Sequence, residues 1–378
     1  MKESCINNMK NEFLDKKRLI TKKYYFNKKF KIKSNNRLIN LKDFNNNFLN
    51  FNNNLNNYHS ILNISNFYSS DLDNQFTLFE INNIYFLIAI DEDRISLKLF
   101  ELNTFLHIKT YKNFHLNNIL CIRYYKKENK NIFITSSCDD SVKVFRIKNN
   151  LKTNIIIHIK NIYGFNNSYF NTYLICSVVM LTHKKKDYII TSNRYASYFK
   201  VYNLKGNICK DKFCEHQTNG DTYYIQHYYE KDKNYIIKCN NNIDSITSFD
   251  FDTGKIYKYY INKFARNCVI KNINNQTLLF FAEYWENNIY IMDFHKGNLI
   301  NLITLKDNPM LNLVLLWNNE YLLATADDNQ IHIININKKM ETNRLKNTKK
   351  IYNIDKIKIN NFEYLFTEDL NGNIIIWK

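Results

Sequence analysis

The residues nearest to a metal-binding pattern are Cys209, Cys214 and His216, with Cys239 further along the chain. Thiolate and imidazole groups suit zinc, but structural zinc sites usually pair cysteines two to four residues apart and add a second such pair. Cys239 instead stands alone in an apolar run that is typical of a strand. We therefore predict no metal site, and we interpret the 8 cysteines as reduced core residues of an intracellular protein.

The motifs that carry chemistry in common enzyme classes are missing from the sequence. It has no Gly-x-Ser-x-Gly elbow, no Gly-x-x-x-x-Gly-Lys loop, no Gly-x-Gly-x-x-Gly and no His-Glu-x-x-His. With 6 glycines in the whole chain, there is little material for the tight loops that surround phosphate groups. We predict that the protein is not an enzyme and that it binds no cofactor.

The N-terminal segment 1–57 is strongly basic. It holds thirteen Lys and Arg against four Asp and Glu, so half of the net charge of +18 lies there. One stretch within it mixes cationic and aromatic side chains, which could pair with phosphates and stack on bases. Its residues are Lys22, Lys23, Tyr24, Tyr25, Lys28, Lys29 and Lys31. An RNA-associated role through residues 1–57 is one interpretation, and a solubilising tail is the other.

Composition separates this basic segment from the rest of the chain. Residues 1–57 are rich in Lys and Asn, which predicts a disordered extension. From residue 58 to 378, short β-type runs follow one another between polar clusters, which indicates one all-β domain. We find no N-terminal apolar stretch typical of a signal peptide and no run of the roughly 20 apolar residues that span a bilayer. We therefore predict an intracellular protein of the cytoplasm or nucleus, without membrane insertion.

A strand that ends in a large apolar residue recurs seven times. Successive members follow one another at intervals in the forties, apart from one longer interval between Phe145 and Tyr202. A period in the low forties is typical of the blade of a β-propeller. The seven residues are Phe100, Phe145, Tyr202, Phe249, Met292, Ile334 and Trp377.

Each repeat contains three strand-like runs, and most repeats add a fourth. The inner runs are nearly continuous in apolar residues, as expected of strands that neighbouring blades cover on both faces. The fourth run alternates because one of its faces meets water. We predict fourth strands at Phe105–Tyr111, Asn154–Lys160, Lys255–Ile261 and Asn298–Leu305.

Three segments resemble the WD-repeat family of β-propellers. They are the run from Ser136 to Phe145 with its acidic turn, the run from Ala324 to Asp328, and the closing Ile374–Trp377. The resemblance covers residues 58–378 and implies a seven-bladed propeller. It also implies a non-catalytic scaffold or adaptor that assembles a multiprotein complex.

The resemblance assigns structural roles to several polar residues. In the family, a His before the first strand, a hydroxyl on the second, an Asp in the next turn and the terminal Trp form a hydrogen-bonded tetrad. The second repeat matches with His115, Ser136 or Ser137, and Asp139 or Asp140. Phe145 takes the Trp position and cannot donate a hydrogen bond. Trp377 is the one terminal Trp among the seven repeats.

The last repeat ends at its third strand, so we expect another segment to complete its sheet. Propellers of this family close with a strand from the opposite terminus, which removes the open edges. The alternating run Tyr58–Ser65 lies just before the first repeat and is predicted to be that strand.

Two groups of aromatic residues are candidates for docking a protein partner. The interval between the second and third repeats is longer than the others, and the excess falls in a predicted loop at 161–172. Exposed aromatics are common in interface hot spots, although these could instead fold back over the blade edge. The loop carries Tyr163, Phe165, Tyr169 and Phe170, and turns that open on the same face carry Arg194, Tyr195, Tyr284 and Trp285.

Overall fold

Seven four-stranded antiparallel sheets follow one another around a ring. The computed structural model describes residues 60–64, 75–104, 106–127, 130–147, 156–163, 175–193, 198–213, 222–240, 246–260, 263–347, 349–359 and 362–377. These residues form strands and turns, with no helix among them. The predicted all-β, seven-bladed propeller closed by an N-terminal strand is confirmed.

The first four blades are built from consecutive strands. Blade 1 contains β2 (Phe76–Ile81), β3 (Ile84–Ile90), β4 (Leu97–Glu101) and β5 (Leu106–Tyr111). Blade 2 contains β6 (Ile119–Lys127), β7 (Lys130–Ser137), β8 (Ser141–Ile147) and β9 (Ile156–Tyr163). Blade 3 contains β10 (Ile175–His183), β11 (Lys186–Asn193), β12 (Phe199–Asn203) and β13 (Ile208–Phe213). Blade 4 contains β14 (Thr222–Glu230), β15 (Lys233–Asn240), β16 (Ile246–Asp250) and β17 (Ile256–Tyr259).

The last blade differs from the others in the origin of its fourth strand. Blade 5 contains β18 (Val269–Ile273), β19 (Gln276–Ala282), β20 (Asn288–Asp293) and β21 (Leu299–Thr304). Blade 6 contains β22 (Leu311–Leu316), β23 (Tyr321–Ala326), β24 (Gln330–Asn335) and β25 (Met340–Lys346). Blade 7 contains β26 (Ile351–Ile359), β27 (Phe362–Asp369) and β28 (Ile374–Trp377), and β1 (Ser60–Ile64) completes it.

The core consists of seven apolar clusters, and each lies between two neighbouring blades. The recurring residue at the end of each third strand takes part in one of them. Phe145 packs against blade 1, Tyr202 against blade 2, and Trp377 against blade 6. Every blade directs such a residue towards the blade before it. The residue therefore recurs once per blade in the sequence, and once per interface between blades in the structure. Burial of one large apolar side chain contributes about 1.5–3 kcal/mol.

Polar side chains connect the inner strands from blade to blade. The Gln75 side chain donates to the carbonyl of Leu120 at 3.0 Å, from blade 1 to blade 2. The Arg266 guanidinium donates to Asn312 at 2.7 Å, and Asn312 donates to the carbonyl of Ile351 at 3.2 Å. These bonds satisfy buried polar groups that would otherwise cost free energy. The bonds from Arg266 to Asn312 and from Asn312 to Ile351 link blades 5, 6 and 7 in series.

Asn residues occupy several of the turns that require a left-handed backbone. Both residues of the two-residue turns Asn82-Asn83 and Asn274-Asn275 have positive φ, as type I′ hairpins require. Lys184 and Lys185 also adopt positive φ, which the sequence did not indicate. In that hairpin the pairing of β10 with β11 holds the turn in place.

Three details of the predicted strands were wrong. Two fourth strands, β13 and β25, were not predicted, because Ile208–Phe213 and Met340–Lys346 are polar and do not alternate. They pair nevertheless with the open edges of β12 and β24. Strand β9 runs to Tyr163, which pairs with Ser141, so Tyr163 lies at a strand end and not within the predicted loop at 161–172.

Blade 2 contains the polar network implied by the resemblance, with one correction. The His115 ring contacts Asp139 Oδ2 at 2.9 Å through Nδ1 and Thr135 Oγ1 at 2.8 Å through Nε2. The hydroxyl is therefore that of Thr135 and not of Ser136 or Ser137, because Ser137 donates instead to the carbonyl of Asn117.

The Trp member of the tetrad is found in blade 7. Trp377 Nε1 donates to Thr367 Oγ1 at 2.8 Å, and both side chains are buried. Neither blade combines all four of these residue types. Blade 2 has the His, a hydroxyl and the Asp, and blade 7 has the Trp with its hydroxyl partner.

The pairing of β1 with β28 generates a first prediction. Leu62, Asn63 and Ile64 lie opposite Ile376, Ile375 and Ile374. Removal of residues 1–57 leaves this strand intact and is expected to leave cooperative unfolding unchanged. Removal of residues 1–66 exposes the edge of β28, and the loss of several backbone hydrogen bonds at about 1 kcal/mol each should lower the melting temperature by roughly 5 °C or more. Calorimetry of both truncations measures this, and equal melting temperatures would contradict the role of the closing strand.

The Asp139 carboxylate generates a prediction on pH. Partial burial opposes its ionisation, but hydrogen bonds from His115, Ser141 and the backbone of Leu116 outweigh burial and hold the pKa of Asp139 well below its usual value. A carboxyl with a lowered folded-state pKa stabilises the protein above its unfolded pKa of about 3.9, and that stabilisation is lost as the pH falls. Asp139→Asn should cost about 1–3 kcal/mol at pH 7. Its deficit relative to wild type should shrink below about pH 4.

Chemical denaturation at several pH values measures this deficit. Glu92→Gln, which changes an exposed carboxyl on a neighbouring blade, is the matched control and should have little effect at any pH. A deficit of the same size at pH 7 and pH 3 would show that Asp139 does not stabilise the fold through its charge.

The Trp377–Thr367 hydrogen bond gives a third prediction. Trp377→Phe keeps a large ring but leaves the buried Thr367 hydroxyl without its donor, at a cost of about 1–3 kcal/mol. Thr367→Val in the same background should recover part of this loss, with a coupling of about 1 kcal/mol in the double-mutant cycle. Additive losses, measured by urea unfolding, would show that the hydrogen bond does not contribute.

Candidate functional site

One end of the ring carries both the turns between the second and third strands and the connections between blades. We call this end the upper face. The described turns on it are 91–96, 138–140, 283–287, 327–329 and 370–373, and the described connections include 112–118, 263–268 and 305–310. Of the predicted docking residues, Tyr284 and Trp285 lie in one of these described turns, 283–287.

The structure brings together two of the predicted docking residues, Tyr284 and Trp285. Their ring centroids are 4.7 Å apart with an interplanar angle of 26°. For Tyr163 the backbone alone is described. The other predicted partner-binding residues and the predicted nucleic-acid-binding residues lie outside the described residues. They are Phe165, Tyr169, Phe170, Arg194, Tyr195, Lys22, Lys23, Tyr24, Tyr25, Lys28, Lys29 and Lys31.

The turn that carries the two rings is fixed on both sides by backbone hydrogen bonds. The amide of Tyr284 donates to the carbonyl of Phe264, in the connection before blade 5, at 2.7 Å. The amide of Trp285 donates to the carbonyl of Leu311 at 3.1 Å, and the Leu311 amide donates to Glu286 at 2.9 Å. The turn of blade 5 is thus bonded to the connections on both sides of its blade, which makes it a rigid support.

The two rings continue into a larger stack. Phe264 contacts Tyr284 edge to face, with centroids 4.7 Å apart, and the Arg266 guanidinium lies 4.9 Å from the centroid of Tyr284. Arg266 is buried and donates to Asn312. Sequence reasoning missed Phe264 and Arg266. The signal available was a Phe-x-Arg segment just before a first strand, and nothing local relates it to the turn at Tyr284.

Trp285 has an unusual backbone conformation for its residue type. Its φ is 66°, in the left-handed region that favours Gly, Asn and Asp. The other described turns of the upper face place Arg94, Asp140, Asn329 and Gly372 in this conformation. A bulky residue there costs roughly 1–2 kcal/mol. The Trp285 side chain is also 62% exposed, so the fold does not recover that cost by burying the indole.

A carboxylate beneath the turn supports its geometry. Glu283 is buried, and burial opposes its ionisation. The Lys263 ammonium at 2.7 Å and the Tyr290 hydroxyl at 2.9 Å outweigh this and hold the pKa of Glu283 below its usual value. The charged carboxylate thereby joins the connection before blade 5 to strand β20.

Other apolar side chains on the upper face are open to solvent. Met310 follows the connection from blade 5 to blade 6, Leu370 lies in the turn of blade 7, and Leu116 lies between blades 1 and 2. The Met310 backbone is held by bonds to Asp327, on the turn of blade 6. Rigid exposed apolar groups next to acidic turns form a surface suited to a protein partner.

The cysteine and histidine residues that come nearest to a metal-binding pattern are only partly among the described residues. The described residues contain no group of three or more side chains placed to hold a metal ion. Cys209 is exposed on β13 and Cys239 is buried in β15, whereas Cys214 and His216 lie outside the described residues. Nor does the described part of the chain hold a helix that is long and apolar enough to cross a membrane.

Comparison with known proteins supports the fold. No family model matches the sequence, and no curated protein matches it. Two crystal structures of BBS1N in complex with ARL6DN, one soaked with lead and one with mercury, have TM-scores of 0.63 and 0.61. They are 10% and 11% identical to this chain, and each match covers 85% of this chain and 96% of the other. The chain is thus a seven-bladed β-propeller similar in fold to BBS1N.

Proposed function

We propose that this protein is a non-catalytic scaffold of the WD-repeat type, which binds protein partners on the upper face of its propeller. The Trp285 indole is the anchor of that surface. The observation that carries the proposal is an exposed indole on a left-handed backbone, in a turn fixed by hydrogen bonds on both sides. Strain of this kind concentrates at functional positions.

The energetics favour a partner that covers the indole. Burial of an exposed Trp in an interface stabilises a complex by about 2–4 kcal/mol. Because Tyr284 and the backbone already hold the ring in place, little side-chain entropy is lost on binding. In the free protein the exposed indole gains only its stacking on Tyr284, so burial by a partner is the larger gain.

The surface extends beyond Trp285 in this proposal. Tyr284 supports the ring, and Tyr163 ends the strand from which the long connection to blade 3 departs. Phe165, Tyr169 and Phe170 of that connection, with Arg194 and Tyr195 of the blade 3 turn, are proposed to complete the surface. The BBS1N structures support the general idea, since there a propeller of the same fold is in complex with ARL6DN.

The test separates binding from folding with one substitution. Trp285→Asn removes the indole and places at a φ of 66° a residue that tolerates it. The melting temperature should be equal to or slightly above that of wild type. Affinity purification with quantitative mass spectrometry should show partner recovery falling roughly tenfold or more, as expected for a hot-spot residue.

The matched control is Tyr229→Asn, because Tyr229 is 56% exposed at the opposite end of the ring. This variant should retain the partners of the wild-type protein. An unchanged set of partners for Trp285→Asn would contradict the proposal. So would a lowered melting temperature, since that would make the indole part of the packing.

A further inference from the structure

A groove lies on the circumference of the ring, between the outer strands of blades 5 and 6. Its volume is about 670 Å³, and its walls come from β21 with its following turn and from β24 and β25. We propose that this groove binds an acidic, extended segment of a partner protein. It is a second surface, separate from the Trp285 anchor on the upper face.

The groove has an apolar strip that is open to water. Leu302 on β21 is 44% exposed, and Met340 at the start of β25 is 54% exposed. Leu299 and Ile300 extend the exposed aliphatic surface along β21. Three exposed aliphatic residues on one short outer strand form an apolar patch of the kind that marks an interaction site. A bound segment would remove this patch from water.

The positive charge of the groove favours a ligand with acidic side chains. Four cationic side chains line it, namely Lys306, Lys339, Arg344 and Lys346, against the one carboxylate of Glu341. Glu341 is already engaged, at 2.8 Å by His332 and at 2.5 Å by Arg344. Arg344 also pairs with Asp307 at 3.0 Å, so the surplus charge of the groove lies on the three lysines. Within the described part of the chain, no carboxylate forms an ion pair with any of the three lysines. The groove therefore presents a surplus of positive charge beside its apolar strip.

Both walls offer backbone groups for strand addition. β21 and β25 are each the outermost strand of their sheet, so one edge of each has no partner strand among the described residues. An extended segment can pair with such an edge and place alternate side chains on opposite sides. Acidic side chains would then meet the lysines, and apolar ones would meet Leu302 and Met340.

Other occupants fit less well. A second copy of this chain carries +18, and the chain's own residues 1–57 carry thirteen basic against four acidic residues, so the lysines repel both. Single-stranded RNA is anionic, but its binding sites usually stack bases on aromatic side chains. None of the described residues that line this groove is aromatic, whereas several are aliphatic.

The experiment uses the full chain and fluorescence anisotropy with labelled probes. The main probe is a peptide of alternating Glu and Val, about twelve residues long, which spans a strand edge at about 3.3 Å per residue. The comparison probes are the same peptide with Lys in place of Glu, and an oligouridine of equal length. We expect the acidic peptide to bind, with an affinity that falls as salt rises, and the basic peptide not to bind.

Charge reversal locates the site. The triple variant Lys306→Glu, Lys339→Glu, Lys346→Glu should weaken binding of the acidic peptide roughly tenfold or more. The matched control reverses Lys112, Lys205 and Lys233, three exposed lysines on other blades, and changes the net charge equally. It should retain most of the affinity, as should Trp285→Asn. Leu302→Gln with Met340→Gln should weaken binding several-fold at unchanged net charge.

Three outcomes would overturn the proposal. They are no binding of the acidic peptide, equal losses in the two triple variants, and tighter binding of oligouridine that depends on the groove lysines. The melting temperature of each variant checks that the fold is intact. Because Trp285 is left in place, a failure here does not bear on the upper-face surface.

Discussion

The pairing of β1 with β28 closes the ring of blades. Ser60–Ile64 comes from the N-terminal side of the propeller and completes a sheet whose other strands are the last three. This pairing places blade 7 beside blade 1, and there Phe100 and Phe366 enter one apolar cluster. Without it the cluster would face water and the edge of β28 would be open.

The propeller has seven separate apolar clusters instead of one central core. Each apolar cluster lies between two blades, so apolar burial is shared among seven similar interfaces. The turns and connections are therefore free to vary. Blade 2 uses its turn for the His115–Asp139 network, whereas blade 5 uses the equivalent turn to present Trp285.

The two proposed surfaces follow from different consequences of this architecture. The upper face is built from turns that are short and bonded to their neighbours, which suits a rigid anchor such as Trp285. The circumference is built from outer strands, whose outer edges have no partner strand in the described part of the chain and suit an extended segment. A scaffold of this kind can hold two partners at once, because the sites share no residue.

The class of fold and the number of blades could be predicted from the amino-acid sequence. A large apolar residue such as Phe145 or Trp377 must be buried once per blade, and its recurrence is visible without knowledge of any contact. The closure that the family resemblance implies, together with the alternation of residues 58–65, identified the closing strand. Strands such as β13 and β25 could not be predicted, because their pairing depends on an edge that another segment supplies.

The details of the sites depend on contacts between segments that are far apart in the sequence. Strand register selected Thr135 as the partner of His115, although two serines follow it directly. Phe264 and Arg266 reach Tyr284 from a different connection, and the left-handed φ of Trp285 has no local sequence signal. The groove is lined by residues from strands of blades 5 and 6. The apolar residues that each blade buries recur at a regular spacing, which is visible in the sequence. Contacts between different blades depend instead on strand register and on closure of the ring.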